Sequence, residues 1–285
     1  MKPENILIIG SNGQLGKSLQ HRYPEAKAVD QSQLDISDIA SVNTFDWSNI
    51  NSIINAAAFT NVDMAETAEG RSKAWKVNAL GPANLSCIAR QHSITLVHIS
   101  TDYVFDGQQD LHTEQEDFSP LNVYGQSKAA GDIAVALLEK YYILRTSWVI
   151  GEGRNFVNTM MSLADRGINP TVVSDQIGRL TFTDTLTEAI NYLLTKNAPY
   201  GTYNVSNDGS SASWADIART AFQISNHTNI TVSNTTTEAY FSSKPGVAPR
   251  PLHSTLDLHK IKGIGFQPQD WKDSLAAYLN KEVNT

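Results

Sequence analysis

The chain has 285 residues, 41% hydrophobic and 18% charged, with 22 Lys and Arg against 29 Asp and Glu for a formal charge of −7. That length buries a substantial core, and the even spread of apolar residues excludes a disordered, collagenous or coiled-coil chain. With a negative balance and no Lys/Arg run, an electrostatic footprint for nucleic acid or an anionic membrane surface is missing, so any bound phosphate must be held locally.

A single cysteine, Cys87, excludes an internal disulfide and a Cys-rich zinc site and suits a reducing compartment. No apolar stretch approaches the roughly 20 residues of a membrane helix. The first apolar run ends in a glycine-rich turn where a signal peptide would carry a cleavage site. The expected location is therefore the cytoplasm. The histidines, His92, His98 and His112 among them, show no paired metal spacing, so no metal site is expected.

In chain order, short apolar runs at 6–9, 26–29, 52–58, 94–100, 142–150 and 171–174 alternate with segments of helical period at 14–22, 72–91 and 123–140. Runs apolar on both faces suit strands buried in a parallel sheet, with the periodic segments as crossover helices. The pattern predicts an α/β fold with a doubly wound parallel Rossmann sheet. The regularity fades after Gly151. There the sequence predicts helices at 155–166, 213–224 and 271–280, a strand at 201–205, and, between 226 and 251, loop with at most a short strand or turn of helix. The expected division is a dinucleotide-binding domain from 1–151 and about 171–199, with a smaller C-terminal substrate domain from about 152–170 and 200–285.

The first run opens into Gly10-Ser11-Asn12-Gly13-Gln14-Leu15-Gly16, a Gly-x-x-Gly-x-x-Gly turn leading directly into a helix. Such a turn brings backbone close to a pyrophosphate and points helix N-terminal N–H groups at it. Alone it is a weak signal; its place between the first strand and the first helix supplies the required context. Asp30, closing the second run, stands about 20 residues on, where an acidic side chain takes the ribose hydroxyls. Gln31 and Ser32 beside it bring no cation for a 2′-phosphate. The cofactor is expected to be NADH or NADPH, with Asp30 favouring NADH unless Lys17 or Arg22 swings in from the first helix.

Tyr124 and Lys128 stand at i and i+4 at the start of a helix, so they share a face. An ammonium beside a phenol would lower the tyrosine pKa toward the working range and make it a proton donor or acceptor. Tyr-x-x-x-Lys alone is a common accident. The fourth strand, however, ends at Ser100-Thr101, where open α/β sheets place their ligands, and either hydroxyl there could hold a substrate carbonyl oxygen.

These segments, with Asn55-Ala56-Ala57-Ala58-Phe59-Thr60-Asn61-Val62-Asp63, Ser100-Thr101-Asp102-Tyr103-Val104-Phe105-Asp106-Gly107, Asn122-Val123-Tyr124-Gly125-Gln126-Ser127-Lys128, Ser147-Trp148 and Arg250-Pro251, span most of the chain. On them the sequence resembles the extended short-chain dehydrogenase/reductases and, within these, the dTDP-4-dehydrorhamnose reductase family. The resemblance implies Thr101, Tyr124 and Lys128 as the catalytic triad. It implies Gly10, Asn12, Gly13, Gln14, Leu15, Gly16, Asp30, Asp35, Ile36, Ala56, Ala57, Ala58 and Thr60, with Tyr124 and Lys128, along the cofactor. For a nucleotide-sugar substrate it implies Val62, Thr101, Asp102, Tyr103, Trp148 and Arg250, the last as a diphosphate clamp. Trp148 and Val62 also read as plain core residues. The implied reaction is reduction of a 4-keto-6-deoxy sugar by NAD(P)H in deoxysugar and cell-surface polysaccharide biosynthesis.

Two departures and three rivals accompany that reading. The stretch from Asp63 to Asn78 is about two residues longer than the family pattern, which predicts a remodelled loop. Ser18 stands where some members carry a glutamate that bridges subunits through Mg²⁺; a homodimer is left open without that metal. A dehydratase on the same scaffold needs a carboxylic acid pair after the catalytic threonine, and here Asp102 is followed by Tyr103. An epimerase, or a non-catalytic dinucleotide-binding subunit, is the remaining alternative; the retained Thr101, Tyr124 and Lys128 favour a reductase.

Overall fold

The structure, a computed structural model, describes residues 2–242, 244 and 246–282. Ile6–Ile9 (β1) is four consecutive buried aliphatic residues, and it alternates faces. Ile6 and Ile8 pack into one hydrophobic layer and Leu7 and Ile9 into another on the opposite side of the sheet. Parallel to β1 lie Lys27–Val29 (β2) on one side and Ser52–Asn55 (β3), Thr95–Thr101 (β4) and Tyr141–Thr146 (β5) on the other. The strand order therefore reverses at β1, the point where a crevice opens beyond the strand ends.

Gln14–Arg22 (α1) follows the glycine turn, and Ile39–Thr44 (α2), Ala68–Trp75 (α3), Gly81–His92 (α4) and Val123–Ala136 (α5) follow in chain order. Leu85 and Ile88 of α4 and Val135 of α5 cover the Leu7/Ile9 face. Leu15 and Leu19 of α1 cover the other, together with Leu186, Ile190 and Leu193. This is the doubly wound parallel arrangement that the alternating pattern predicts.

Some elements differ from the sequence reading. The expected strand at 142–150 divides after Thr146, because Trp148 adopts φ +47°; Val149–Ile150 pairs instead with Thr181–Phe182. Thr171–Val173 stays outside the main sheet and pairs with Ser233–Thr235, the short strand that the loop-rich stretch allows. Gly201–Asn204, grouped by sequence with the smaller part, is the sixth strand of the main sheet, parallel to β5. Chain order obscured this because more than fifty residues separate it from β5, among them Phe156–Asp165 (α6) and Thr183–Thr195 (α7). Trp214–Ile224 (α8), opened by a Ser213–Asp216 capping box, packs with Val157, Trp271 and Leu275 into a separate apolar cluster beside the sheet.

The segment from Asp63 to Asn78, expected as a remodelled loop, is mostly helical. A 3₁₀ turn at Met64–Glu66 leads into α3, capped by Thr67, and then into a π-helical stretch, Lys76–Leu80, that continues as α4. The widened turn places the buried Asn78 side chain so that Oδ1 accepts from Phe59 N at 2.8 Å while Nδ2 donates to Phe59 O and Ser127 Oγ. One amide thus ties the strand-β3 loop to α5. Among the described residues no helix is long and apolar enough to cross a membrane.

Substituting Asn78→Ala leaves the Phe59 amide and carbonyl unpaired, at about 1 kcal/mol or more for each lost bond. The expected result is a loss of about 3 kcal/mol in unfolding free energy, read from the urea midpoint at unchanged m-value.

Candidate active site

Gly10 leaves β1 at φ +86°, and a Cβ on it would lie 2.7 Å from Ala57 N; on Gly16 it would lie 2.2 Å from Gly10 O. Both glycines are required by the packing of the turn itself. Gly13, which caps α1, has no heavy atom nearer than 3.4 Å to the same point. Its missing side chain instead leaves room above the N–H groups of α1, the position that accepts a pyrophosphate. From Gly10, Asn12 and Gly13 a cavity of about 760 Å³ passes Asp30, Asp35 and Ile36 to reach Ala56, Ala57 and Ala58.

The Asp30 carboxylate accepts from Ser32 Oγ at 2.6 Å, Ser32 N at 2.9 Å and Asn12 Nδ2 at 2.8 Å. The Ser32 side chain and amide hold its pKa below the ordinary aspartate value. It is thus a fixed negative charge facing the cavity. Asp35 turns toward its own loop, accepting from Ser37 N and Oγ.

A second cavity of about 720 Å³ shares Asn12, Gly13, Ala56 and Ala58 with the first and extends over the strand ends. Gln14, Leu15, Thr60, Val62, Thr101, Asp102, Tyr103, Tyr124, Lys128 and Trp148 all line it. Thr101 is the last residue of β4, while Tyr124 and Lys128 occupy successive turns at the start of α5, whose first turn is capped by Asn122. The structure thus brings together three side chains from separate stretches of sequence. Gln14 Oε1, Asp102 Oδ2 and Thr146 Oγ1 belong to residues that line this cavity, and each is buried without a hydrogen-bond partner; Ser100 Oγ leans on Asp132 instead. Buried polar atoms are normally satisfied, so three orphans around one cavity point to a polar ligand.

The electrostatics correct one expectation. The Tyr124 phenol is not lowered by Lys128; desolvation raises its pKa above the ordinary value, with the Thr101 hydroxyl opposing. The ammonium is directed elsewhere: Lys128 Nζ donates to Ile99 O at 2.6 Å and sits 3.3 Å from His98 Nε2. Burial brings Lys128 itself down to about 8. A phenol that keeps its proton is suited to giving one to a developing alkoxide.

Sequence reasoning missed what lies behind Lys128. His98 is fully buried, its Nδ1 facing Asn55 Nδ2 at 3.1 Å and its Nε2 3.8 Å from Asp132 Oδ1. Burial, followed by the Lys128 charge, pushes the imidazole well below its usual pKa and keeps it neutral. Asp132 in turn meets Arg145 Nε at 3.2 Å. The available signal was spacing: Asp132 stands four residues after Lys128 on α5, and His98 shares a strand face with Ser100.

Trp148 stacks on Trp214 with ring centroids 3.8 Å apart while still bordering the cavity. Arg250 departs from its expected place. It does not line the cavity; its Nη2 pairs with Asp63 Oδ1 at 2.7 Å and its Nη1 donates to Ala248 O. A carboxylate one residue from Val62 draws the guanidinium to that rim.

Residues 4–284 match the family model described as RmlD substrate binding domain. The chain is 39% identical over 290 residues to dTDP-4-dehydrorhamnose reductase of Aggregatibacter actinomycetemcomitans, covering 95% of this chain and 96% of that one. It is 36% identical to the spore coat polysaccharide biosynthesis protein SpsK of Bacillus subtilis (strain 168), with 97% of each covered. The crystal structure of dTDP-4-dehydrorhamnose reductase from Bacillus anthracis in complex with NADP matches with a TM-score of 0.88 and 36% identity, over 97% of this chain and 98% of that one.

Because Lys128 falls from 10.5 to about 8 on burial, its charge opposes folding. A base lowered in the folded state costs stability fully below its folded pKa, and the cost vanishes as pH rises past the unfolded value. Lys128→Met also leaves Asp132 with Arg145 as its neighbouring cation, a cost constant above neutral pH, so the readout is the pH slope: between pH 10 and pH 7 the variant should gain about 2.5 kcal/mol of unfolding free energy relative to the parent in denaturant titrations.

Proposed function

The chain belongs to the RmlD family, that of the dTDP-4-dehydrorhamnose reductases, and we propose that its Thr101, Tyr124 and Lys128 carry out the reduction of the C4 ketone of dTDP-4-dehydro-L-rhamnose. As a member it is an NAD(P)H-dependent oxidoreductase acting in dTDP-rhamnose and polysaccharide biosynthesis. The observation that carries the reading is the single cavity in which Thr101, Tyr124 and Lys128 meet at the open end of the glycine turn.

The residues present fit a nicotinamide dinucleotide. Gly10, Gly13 and Gly16 and the first N–H groups of α1 would hold its pyrophosphate, Asp30 one ribose, and Ile36 and Ala56–Ala58 the adenosine end of the groove. Bound there in reduced form, the cofactor supplies a hydride. Tyr124 gives its proton to the C4 oxygen as that oxygen gains charge, and its raised pKa keeps the proton in place until then. Thr101 donates a hydrogen bond to the same oxygen, the role a preorganised donor plays at a developing oxyanion. Lys128 holds the neighbouring ribose. Val62, Tyr103 and Trp148 shape the sugar pocket, and Arg250 reaches the diphosphate once released from Asp63. The dinucleotide part is the six-stranded sheet with its helices, the substrate part is the cluster around α6 and α8, and the enzyme works in the cytoplasm.

Two measurements test this. With dTDP-4-dehydro-L-rhamnose and NADH or NADPH, followed at the nicotinamide absorbance, Tyr124→Phe should lower kcat about 10³-fold and leave the cofactor Kd within about twofold, as for loss of a general acid; full turnover removes Tyr124 from the mechanism. Asp30 should repel a 2′-phosphate, so NADH should be the better reductant, and Asp30→Ala should raise the NADPH-to-NADH ratio of kcat/KM about tenfold. An unchanged ratio would detach Asp30 from cofactor choice.

A further inference from the structure

The proposed reduction asks Thr101 to donate a hydrogen bond into the cavity, yet its one proton is already engaged. Thr101 Oγ1 donates to Asp102 Oδ1 at 2.9 Å and accepts from Tyr103 N at 3.2 Å. While Asp102 is a carboxylate, which only accepts, the threonine proton points at it and away from the ketone. Asp102 itself is only 3% exposed and borders the cavity, and its Oδ2 has no hydrogen-bond partner. For a buried carboxylate with one oxygen so weakly paired, the ionised form is the less favoured of its two protonation states.

We propose that Asp102 is a positioning residue that sets the direction of the Thr101 hydroxyl. As the neutral acid it donates to Thr101 Oγ1 and frees the threonine proton for the C4 carbonyl oxygen; as the carboxylate it takes that proton for itself. Asp102 neither gains nor loses a proton in turnover, because the proton that joins the C4 oxygen comes from Tyr124. The inference rests on the ketoreductase reading of this site.

The surroundings raise Asp102 toward neutrality, so that it holds its proton below about pH 6 and is mostly carboxylate at pH 7. Burial raises it to about 6, against the pull of the Ser254 and Thr101 hydroxyls and of His112. The other titratable groups facing it are the phenols of Tyr103 and Tyr124, both raised and hence uncharged. Arg250 is held by Asp63, and the His112 imidazole is engaged by Glu116 at 2.8 Å. Substrate entering the cavity removes water and favours the neutral acid further.

The sign follows. The neutral form is present below the Asp102 pKa and is lost as pH rises through it, so kcat should fall there, well below the range in which Tyr124 loses its proton. In the full-length enzyme at saturating NADH and ketosugar, wild-type kcat should drop about tenfold per pH unit above that inflection. Asp102→Asn, whose amide donates to Thr101 at every pH, should stay within tenfold of the wild-type low-pH plateau and show no such limb. A persisting limb, or a loss of more than tenfold in a variant of normal thermal stability and cofactor affinity, overturns the inference. Should the Asn variant not fold, Thr101→Val serves: its residual kcat should lack the limb, and a retained limb is the contrary result. Infrared difference spectra of wild type, taken without substrate across pH 5 to 8, should show a protonated-carboxyl C=O band absent from Asp102→Asn. Absence of that band rejects the inference whatever the enzyme reduces, whereas its presence without any ketosugar reduction rejects the reading of the site instead.

Discussion

The close approach of α5 to the turn after β4 is the contact on which the site depends. A Cβ on Gly125 would lie 2.1 Å from Tyr103 O, so only glycine lets the helix start settle against that turn. Asn122 fixes the approach from the other side, accepting from Gly125 N and donating to Pro249 O. With the two elements pressed together, Tyr124 arrives beside Thr101 and Lys128 is sealed beneath them. Desolvation then governs the chemistry, and neighbouring charges adjust it. Tyr124 keeps its proton, Lys128 comes down to about 8 and Asp102 rises to about 6, in each case with burial as the leading cause. The ordinary pKa gap between a lysine and an aspartate thus shrinks to a few units within one pocket.

Much of this was legible in the sequence. The strands of the main sheet announced themselves because residues buried on both faces must be apolar at every position, as at Ile6–Ile9. The glycine turn was legible because sterics at Gly10 and Gly16 leave no alternative. Spacing and strand-end position marked Tyr124, Lys128 and either Ser100 or Thr101 as candidates, and the family resemblance singled out Thr101. What stayed hidden was set by contacts distant in sequence. The strand Gly201–Asn204 joins the sheet through partners near residue 143, and nothing local marks it as different from the short strands beside it. The split at Trp148 arises from a left-handed residue without the glycine that usually signals one. Arg250 meets Asp63 across 187 residues, so its rim position had no local signature.

The expectation about Tyr124 failed for an instructive reason. Four-residue spacing on a helix does place two side chains on one face, but it leaves the direction of a flexible lysine undetermined. Lys128 bends toward the Ile99 carbonyl at 2.6 Å and His98 at 3.3 Å, because a buried ammonium must donate its protons somewhere and β4 offers these acceptors. A nearby charge shifts a pKa only where it points, and burial acts on every group it encloses.

The quartet of Lys128, His98, Asp132 and Arg145 behind the cavity belongs to the same argument. All four are almost wholly buried, and a core of aliphatic residues would fold at least as well without their desolvation. Their arrangement makes sense as support: Arg145 and Lys128 stabilise Asp132, which burial would otherwise drive toward its neutral form, and neutral His98 fills the space between without adding charge. Removing Asp132 would leave Lys128 and Arg145 buried without a carboxylate, so the group is rigid by necessity. That rigidity holds the lysine amine within reach of the cavity floor while keeping it from the phenol, and the division lets Tyr124 remain a proton donor while Lys128 stays free to engage a ligand. The structure places stability-costly groups where a fixed amine is worth more to the chemistry than a better-packed core would be to the fold.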